Sequence, residues 1–117
     1  MDQVPNKKFD LGERTFEFSK RLIKFLKSLS KDPLLQTLIL QAIRSGTSVG
    51  ANYREADGSE SKKDFIHKIM VCKKEAKETL YWLGLIQEQV EANNPELGWL
   101  IDECKQLVRI FGKISVS

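Results

Sequence analysis

The sequence predicts an all-α protein, a single antiparallel up-down-up-down four-helix bundle over residues 1–117. Three observations predict it. Apolar residues recur at steps of three and four in four separate segments. No segment shows the strict alternation of a half-buried strand. The joints between segments are short and carry helix-start signals, so sequential helices become antiparallel neighbours.

The first helix is expected over about 11–30. Leu11, Phe18, Leu22, Phe25, Leu26 and Leu29 share one face, and Lys20, Lys24, Lys27 and Lys31 share the opposite one. The second is expected over 33–56, with Asp32 as N-cap and Pro33 at the first helical position, where a missing N–H costs nothing. Its stripe is Leu35, Leu38, Ile39, Ala42, Gly46, Val49 and Tyr53, and Asp57-Gly58-Ser59 reads as the break. The third is expected over 61–92, opened by Ser61 and Asp64 as a variant capping box. Phe65, Ile69, Cys72, Ala76, Thr79, Leu80, Leu83, Ile86 and Val90 form its stripe. The fourth, over 95–114, repeats the opening of the second with Asn94 and Pro95. It buries Leu97, Leu100, Ile101, Cys104, Leu107, Val108, Phe111 and Ile114.

The composition is that of a soluble globular domain: 41% hydrophobic, 30% charged, net charge +3 from 19 basic and 16 acidic residues. That balance is too mild to announce a nucleic-acid binder by itself, and the charges are mixed along both halves. Cys72 and Cys104 are too few for a disulfide scaffold and lack metal-ligand spacing, so they read as small core residues in a reducing compartment. The first 18 residues hold no apolar run of the signal-peptide kind, and no stretch approaches a membrane span. The expectation is a cytoplasmic protein without membrane attachment.

Enzyme chemistry finds little support. No phosphate-cradling glycine motif and no local nucleophile–base pair occurs. His67 is the single histidine; with Asp64 it resembles half of a bundle metal site, but a di-metal bundle needs two such histidines. His67 therefore reads as a surface residue, and no cofactor or metal is expected.

Two features do not fit a plain bundle. Gly46 and Gly50 sit one turn apart inside the second helix, each costing about 1 kcal/mol against alanine. They indicate close approach by another helix, from the same chain or another subunit. Ile66, Met70, Tyr81, Trp82, Trp99 and Ile110 lie off the core stripes. With the two glycines they are the expected oligomer interface.

The lysine stripe on the first helix suits phosphate backbones. A stripe of this kind is also the ordinary solvated face of an amphipathic helix, and Glu13 and Glu17 share its side. Arg44, Ser48, Asn52 and Glu55 form a polar stripe on the second helix. It reads first as interhelical bonds to Lys74, Glu75 or Glu78, and second as a nucleic-acid contact.

The run Arg44-Ser45-Gly46-Thr47-Ser48-Val49-Gly50-Ala51-Asn52-Tyr53-Arg54-Glu55-Ala56 resembles a small bacterial family. So do Ser61-Lys62-Lys63-Asp64-Phe65-Ile66-His67-Lys68-Ile69 and Lys74-Glu75-Ala76-Lys77-Glu78-Thr79-Leu80-Tyr81-Trp82-Leu83. The family is that of the four-helix bundle proteins named after reading frames in 23S ribosomal RNA intervening sequences. The accessory variability determinant proteins of diversity-generating retroelements are more distant relatives. The resemblance covers about residues 9–112. It departs at Ala56, where many members carry glycine; here glycine arrives at Gly58. The resemblance implies a homopentamer and a nucleic-acid or ribonucleoprotein accessory role. The residues expected to contact RNA or DNA are Lys20, Lys24, Lys27, Lys31, Arg44, Arg54, Lys62 and Lys63. The alternative is a protein–protein adaptor that binds no nucleic acid.

Overall fold

The structure is a computed structural model that describes residues 10–90 and 93–116. It contains α1 (Leu11–Lys27), α2 (Pro33–Asp57), α3 (Lys62–Gln89) and α4 (Pro95–Ser115). No strand occurs among the described residues. Each helix packs on its successor in sequence, and α1 closes the bundle against α4. The long axis of 45 Å follows α3, whose 28 residues rise about 42 Å.

The helix starts follow from their caps. The Asp32 side chain accepts hydrogen bonds from the N–H groups of Leu34 (2.9 Å) and Leu35 (3.1 Å), ahead of Pro33. Asn94 accepts from Leu97 N–H at 3.0 Å, and Ser61 from Asp64 N–H at 3.1 Å. Asp10 does the same for α1, accepting from Glu13 N–H at 3.1 Å. Each satisfies donors that the first helical turn leaves free.

Two ends differ from the sequence expectation. α1 stops at Lys27 rather than near 30, because residues 28–32 are needed to turn the chain. The Ser28 hydroxyl donates to the Phe25 carbonyl, Asp32 N–H donates to the Ser30 hydroxyl, and the Gln36 amide donates to the Ser30 carbonyl. α3 stops at Gln89, where Val90 turns extended; the rest of its expected span, residues 91 and 92, lies outside the described residues. Residues 1–9, which hold half of the segment read as lacking a signal peptide, lie outside them too.

The stripes meet as the periodicity requires. Phe18 and Leu22 of α1, Val49 of α2, Ile69, Leu83 and Ile86 of α3, and Leu97, Leu100, Leu107 and Phe111 of α4 are fully buried. Each such side chain stabilises the fold by about 1.5–3 kcal/mol relative to exposure. The buried threonine and serine hydroxyls of the core find partners. The Thr15 hydroxyl donates to the Leu11 carbonyl at 2.6 Å, and the Thr79 and Ser45 hydroxyls lie 2.8 Å apart.

Both cysteines belong to this core. The Cys104 thiol donates to the Ala76 carbonyl at 3.1 Å and the Cys72 thiol to the Val49 carbonyl at 3.5 Å. Burial pushes both thiols up to about 12. The nucleophilic thiolate is therefore scarce at neutral pH. Neither is expected to react with iodoacetamide in the native protein, and both should alkylate in denaturant. Intact-mass measurement would show no adduct before unfolding and two after it.

Gly46 explains how α1 and α2 come together. A Cβ at this position would collide with Cδ2 of the buried Leu22. One turn on, a Cβ at Gly50 would lie 3.1 Å from the Thr15 hydroxyl oxygen. The close approach expected at the glycine pair is thus made inside the chain. Gly46 is buried and offers no surface to another subunit.

Candidate nucleic-acid interface

Five carboxylates, Glu55, Glu75, Glu78, Glu96 and Glu103, are engaged in ion pairs across the helix seams. Arg14 of α1 forks onto Glu103 of α4 at 2.7 and 3.1 Å and also donates to Gln106 at 2.8 Å. Arg21 makes a similar fork onto Glu96 at 2.8 and 2.7 Å. The guanidinium of Arg21 lies 3.5 Å from the centre of the Trp99 ring, a cation–π contact. Hydrogen bonding to Arg21 holds the Glu96 carboxyl below the usual carboxylate range. The α1/α4 seam is therefore bridged by long arginines. An open groove of about 580 Å³ runs beside them, lined by Glu17, Lys20, Arg21, Lys24, Phe25, Ser28, Asn94 and Glu96.

The α2/α3 seam is built in the same way. Arg44 pairs with Glu75 and Glu78, and Lys68 pairs with Glu55. The Trp82 indole N–H donates to Glu78 at 2.9 Å, and this bond with Arg44 keeps that carboxyl below its usual range. Ser48 donates to the Arg44 carbonyl, and Asn52 donates to the Ser48 carbonyl. Within the polar stripe of α2, Arg44 and Glu55 thus bond across to α3, while Ser48 and Asn52 bond within α2 itself.

The eight expected nucleic-acid contacts are not brought together. Lys20 is paired with Glu17 at 3.2 Å. Lys24 and Lys27 are exposed on α1, and Lys31 is exposed in the turn that follows it. Arg44 is neutralised in the α2/α3 seam. Arg54 lines a shallow groove with Phe16, Glu13 and Glu17 on the α1/α2 side. Lys62 and Lys63 are exposed in the first turn of α3.

The expected interface residues divide likewise. Met70 and Tyr81 are 56% and 61% exposed, so they remain available to a partner. Ile66 and Gly50 are half-buried. Trp82 packs against the core beside its Glu78 bond, Trp99 lies beneath Arg21, and Ile110 also packs inward. Periodicity passed over other apolar residues that the fold leaves outside, among them Phe16 (58% exposed), Ile23 (39%) and Leu40 (67%).

Sequence reasoning also passed over a second basic set. Lys74, Lys77, Lys105, Arg109 and Lys113 are exposed and Lys73 half-buried on α3 and α4. Lys73, Lys74 and Lys77 line one depression with Met70 and Ser115, and no carboxylate lines it. Among the described residues no group of three or more His, Cys, Asp or Glu side chains is placed to hold a metal ion. Among them, too, no helix is long and apolar enough to cross a membrane.

Comparison with known proteins agrees with this architecture. No curated protein matches the chain. A crystal structure of a protein of unknown function from Bacteroides thetaiotaomicron VPI-5482, described as belonging to the S23 ribosomal protein family, superposes with a TM-score of 0.80. It is 31% identical, and the match covers 91% of this chain and 98% of that one. The family model described as 23S rRNA-intervening sequence protein matches residues 7–113. The chain belongs to the family of 23S rRNA-intervening sequence proteins.

Proposed function

We propose that this protein is a non-enzymatic, self-associating bundle that acts in the cytoplasm as a nucleic-acid or ribonucleoprotein accessory factor. The observation that carries the reading is the distribution of charge. Glu55, Glu75, Glu78, Glu96 and Glu103 are engaged across helix seams. The exposed lysines of α3 and α4 face solvent in no ion pair among the described residues. The exposed Phe16, Ile23, Leu40, Met70 and Tyr81 supply apolar area for contact between copies. The family resemblance favours a homopentamer, and a ring would repeat each basic patch and multiply its field. The description of the solved neighbour as a member of the S23 ribosomal protein family favours RNA over DNA.

The test combines light scattering with fluorescence anisotropy on a labelled structured RNA across a salt series. The expected result is an oligomer whose affinity falls steeply with salt, with a log–log slope on the order of −4 or steeper. A strict monomer that binds no nucleic acid at low salt would overturn the reading. The same exposed Phe16 and Leu40 favour a second reading, a protein–protein adaptor. A partner retained on the protein after nuclease treatment would support that one instead.

A further inference from the structure

We propose that nucleic acid docks by its phosphodiester backbone in the outer groove between α3 and α4, across Lys73, Lys77, Lys105 and Arg109, rather than along the lysine stripe of α1. The inference rests on the nucleic-acid reading above and assigns it a place.

The Lys73 side chain crosses the α3/α4 seam and meets α4 at Gly112. A Cβ at Gly112 would lie 3.6 Å from the Lys73 ammonium nitrogen and 3.7 Å from its Cε. The Lys73 side chain therefore lies over the α4 backbone and brings its charge to the seam. Lys105 stands seven residues before Gly112, two turns away on the same face, and Arg109 falls between them. Lys77 follows Lys73 by one turn, about 6 Å along α3. The helices are antiparallel, so that step runs towards Lys105. Lys74 and Lys113 flank the two rows. The result is a strip of cations along two helices, about 12 Å long from Lys105 to Lys113 by helical rise.

Compensation separates this strip from the α1 stripe. The α1/α4 groove holds Glu17 and Glu96 among its cations, with Lys20 and Arg21 already paired to them. Of the carboxylates near the α3/α4 strip in sequence, Glu75 and Glu78 pair with Arg44 and Glu103 pairs with Arg14, while the exposed Asp102 accepts from the neutral Gln106 amide at 2.8 Å. No carboxylate lines the depression formed by Lys73, Lys74 and Lys77. A strip of positive charge along an exposed seam, with no carboxylate lining its depression, suits a chain of phosphates.

The test compares two variants matched in charge, K73Q/K77Q/R109Q and K20Q/K24Q/K27Q. Each removes three positive charges and takes the net charge from +3 to 0. Labelled duplex RNA and duplex DNA of one sequence are titrated across a salt series, with helix content checked by circular dichroism. The α3/α4 variant is expected to lose at least about tenfold in affinity, with the salt slope reduced by about 2–3. The α1 variant should stay within about twofold of the parent. The charge-preserving K73R/K77R/R109K should restore binding, which separates charge from packing over Gly112. Loss on RNA, on DNA or on both supports the groove, because the phosphodiester is common to them. Equal losses in the two Gln variants, or loss in the α1 variant alone, would overturn the groove and leave the nucleic-acid reading intact. Failure of the parent protein to bind either duplex would overturn both.

Discussion

Gly46→Val is expected to destabilise the protein by about 3 kcal/mol, the upper end of the cost of overpacking a core. The gain in helix propensity from removing a glycine is at most about 1 kcal/mol and does not offset it. The Cβ of the new residue collides with Leu22 Cδ2, while Thr79 Cγ2 at 3.6 Å closes the other side. Leu22 is itself fully buried and has nowhere to swing. Leu22→Ala alone should cost about 2–5 kcal/mol through the cavity it leaves. The two together should cost less than their sum by at least about 2 kcal/mol, because valine fills the space the leucine vacates. Urea unfolding monitored by circular dichroism measures all three midpoints. Simple additivity would mean that α1 and α2 do not meet at Gly46.

Arg14→Ala should cost about 2–3 kcal/mol, somewhat below the range for breaking a fully buried ion pair. The Glu103 side chain is only 10% exposed, and its carboxylate takes both of its bonds to α1 from this one guanidinium. The bond to Glu103 raises the Arg14 guanidinium above its usual value, partly opposed by burial. Removing the arginine leaves a nearly buried anion without a partner, and that penalty exceeds the net worth of the pair. Arg14→Leu combined with Glu103→Leu is therefore expected to recover most of the lost stability. A double variant as unstable as Arg14→Ala would show that the fork holds α1 to α4 by more than local charge balance. Thermal melts of the two variants beside the parent decide it.

The core was legible because it is a property of spacing. Phe18, Leu22, Ile69, Leu83 and Phe111 are buried for the reason that predicted them, a shared helical face. The caps at Asp32 and Asn94 were legible because capping is local chemistry. Trp99 and Trp82 misled because spacing says nothing about what reaches over from a neighbouring helix. Arg21 covers one, and Glu78 accepts from the other. Arg44 reads two ways in sequence, as a partner of Glu75 or Glu78 and as a nucleic-acid contact, and the fold pairs it with those two glutamates of α3. The α3/α4 cations escaped notice for the opposite reason. Lys73 and Lys105 lie far apart in sequence and become one strip only where the fold lays Lys73 against α4 at Gly112.

The order in which the helices touch also sets how quickly they can assemble. α1 meets α2, α2 meets α3 and α3 meets α4 across short turns, so three of the four seams form between segments that never diffuse far apart. Only the α1/α4 seam is remote; its Arg14–Glu103 fork joins residues 89 positions apart. Local contacts dominate, and topologies of that kind fold on the microsecond-to-millisecond scale. The chain has one long closure, and once the other three seams form they hold the ends of that loop near each other, which lowers its cost.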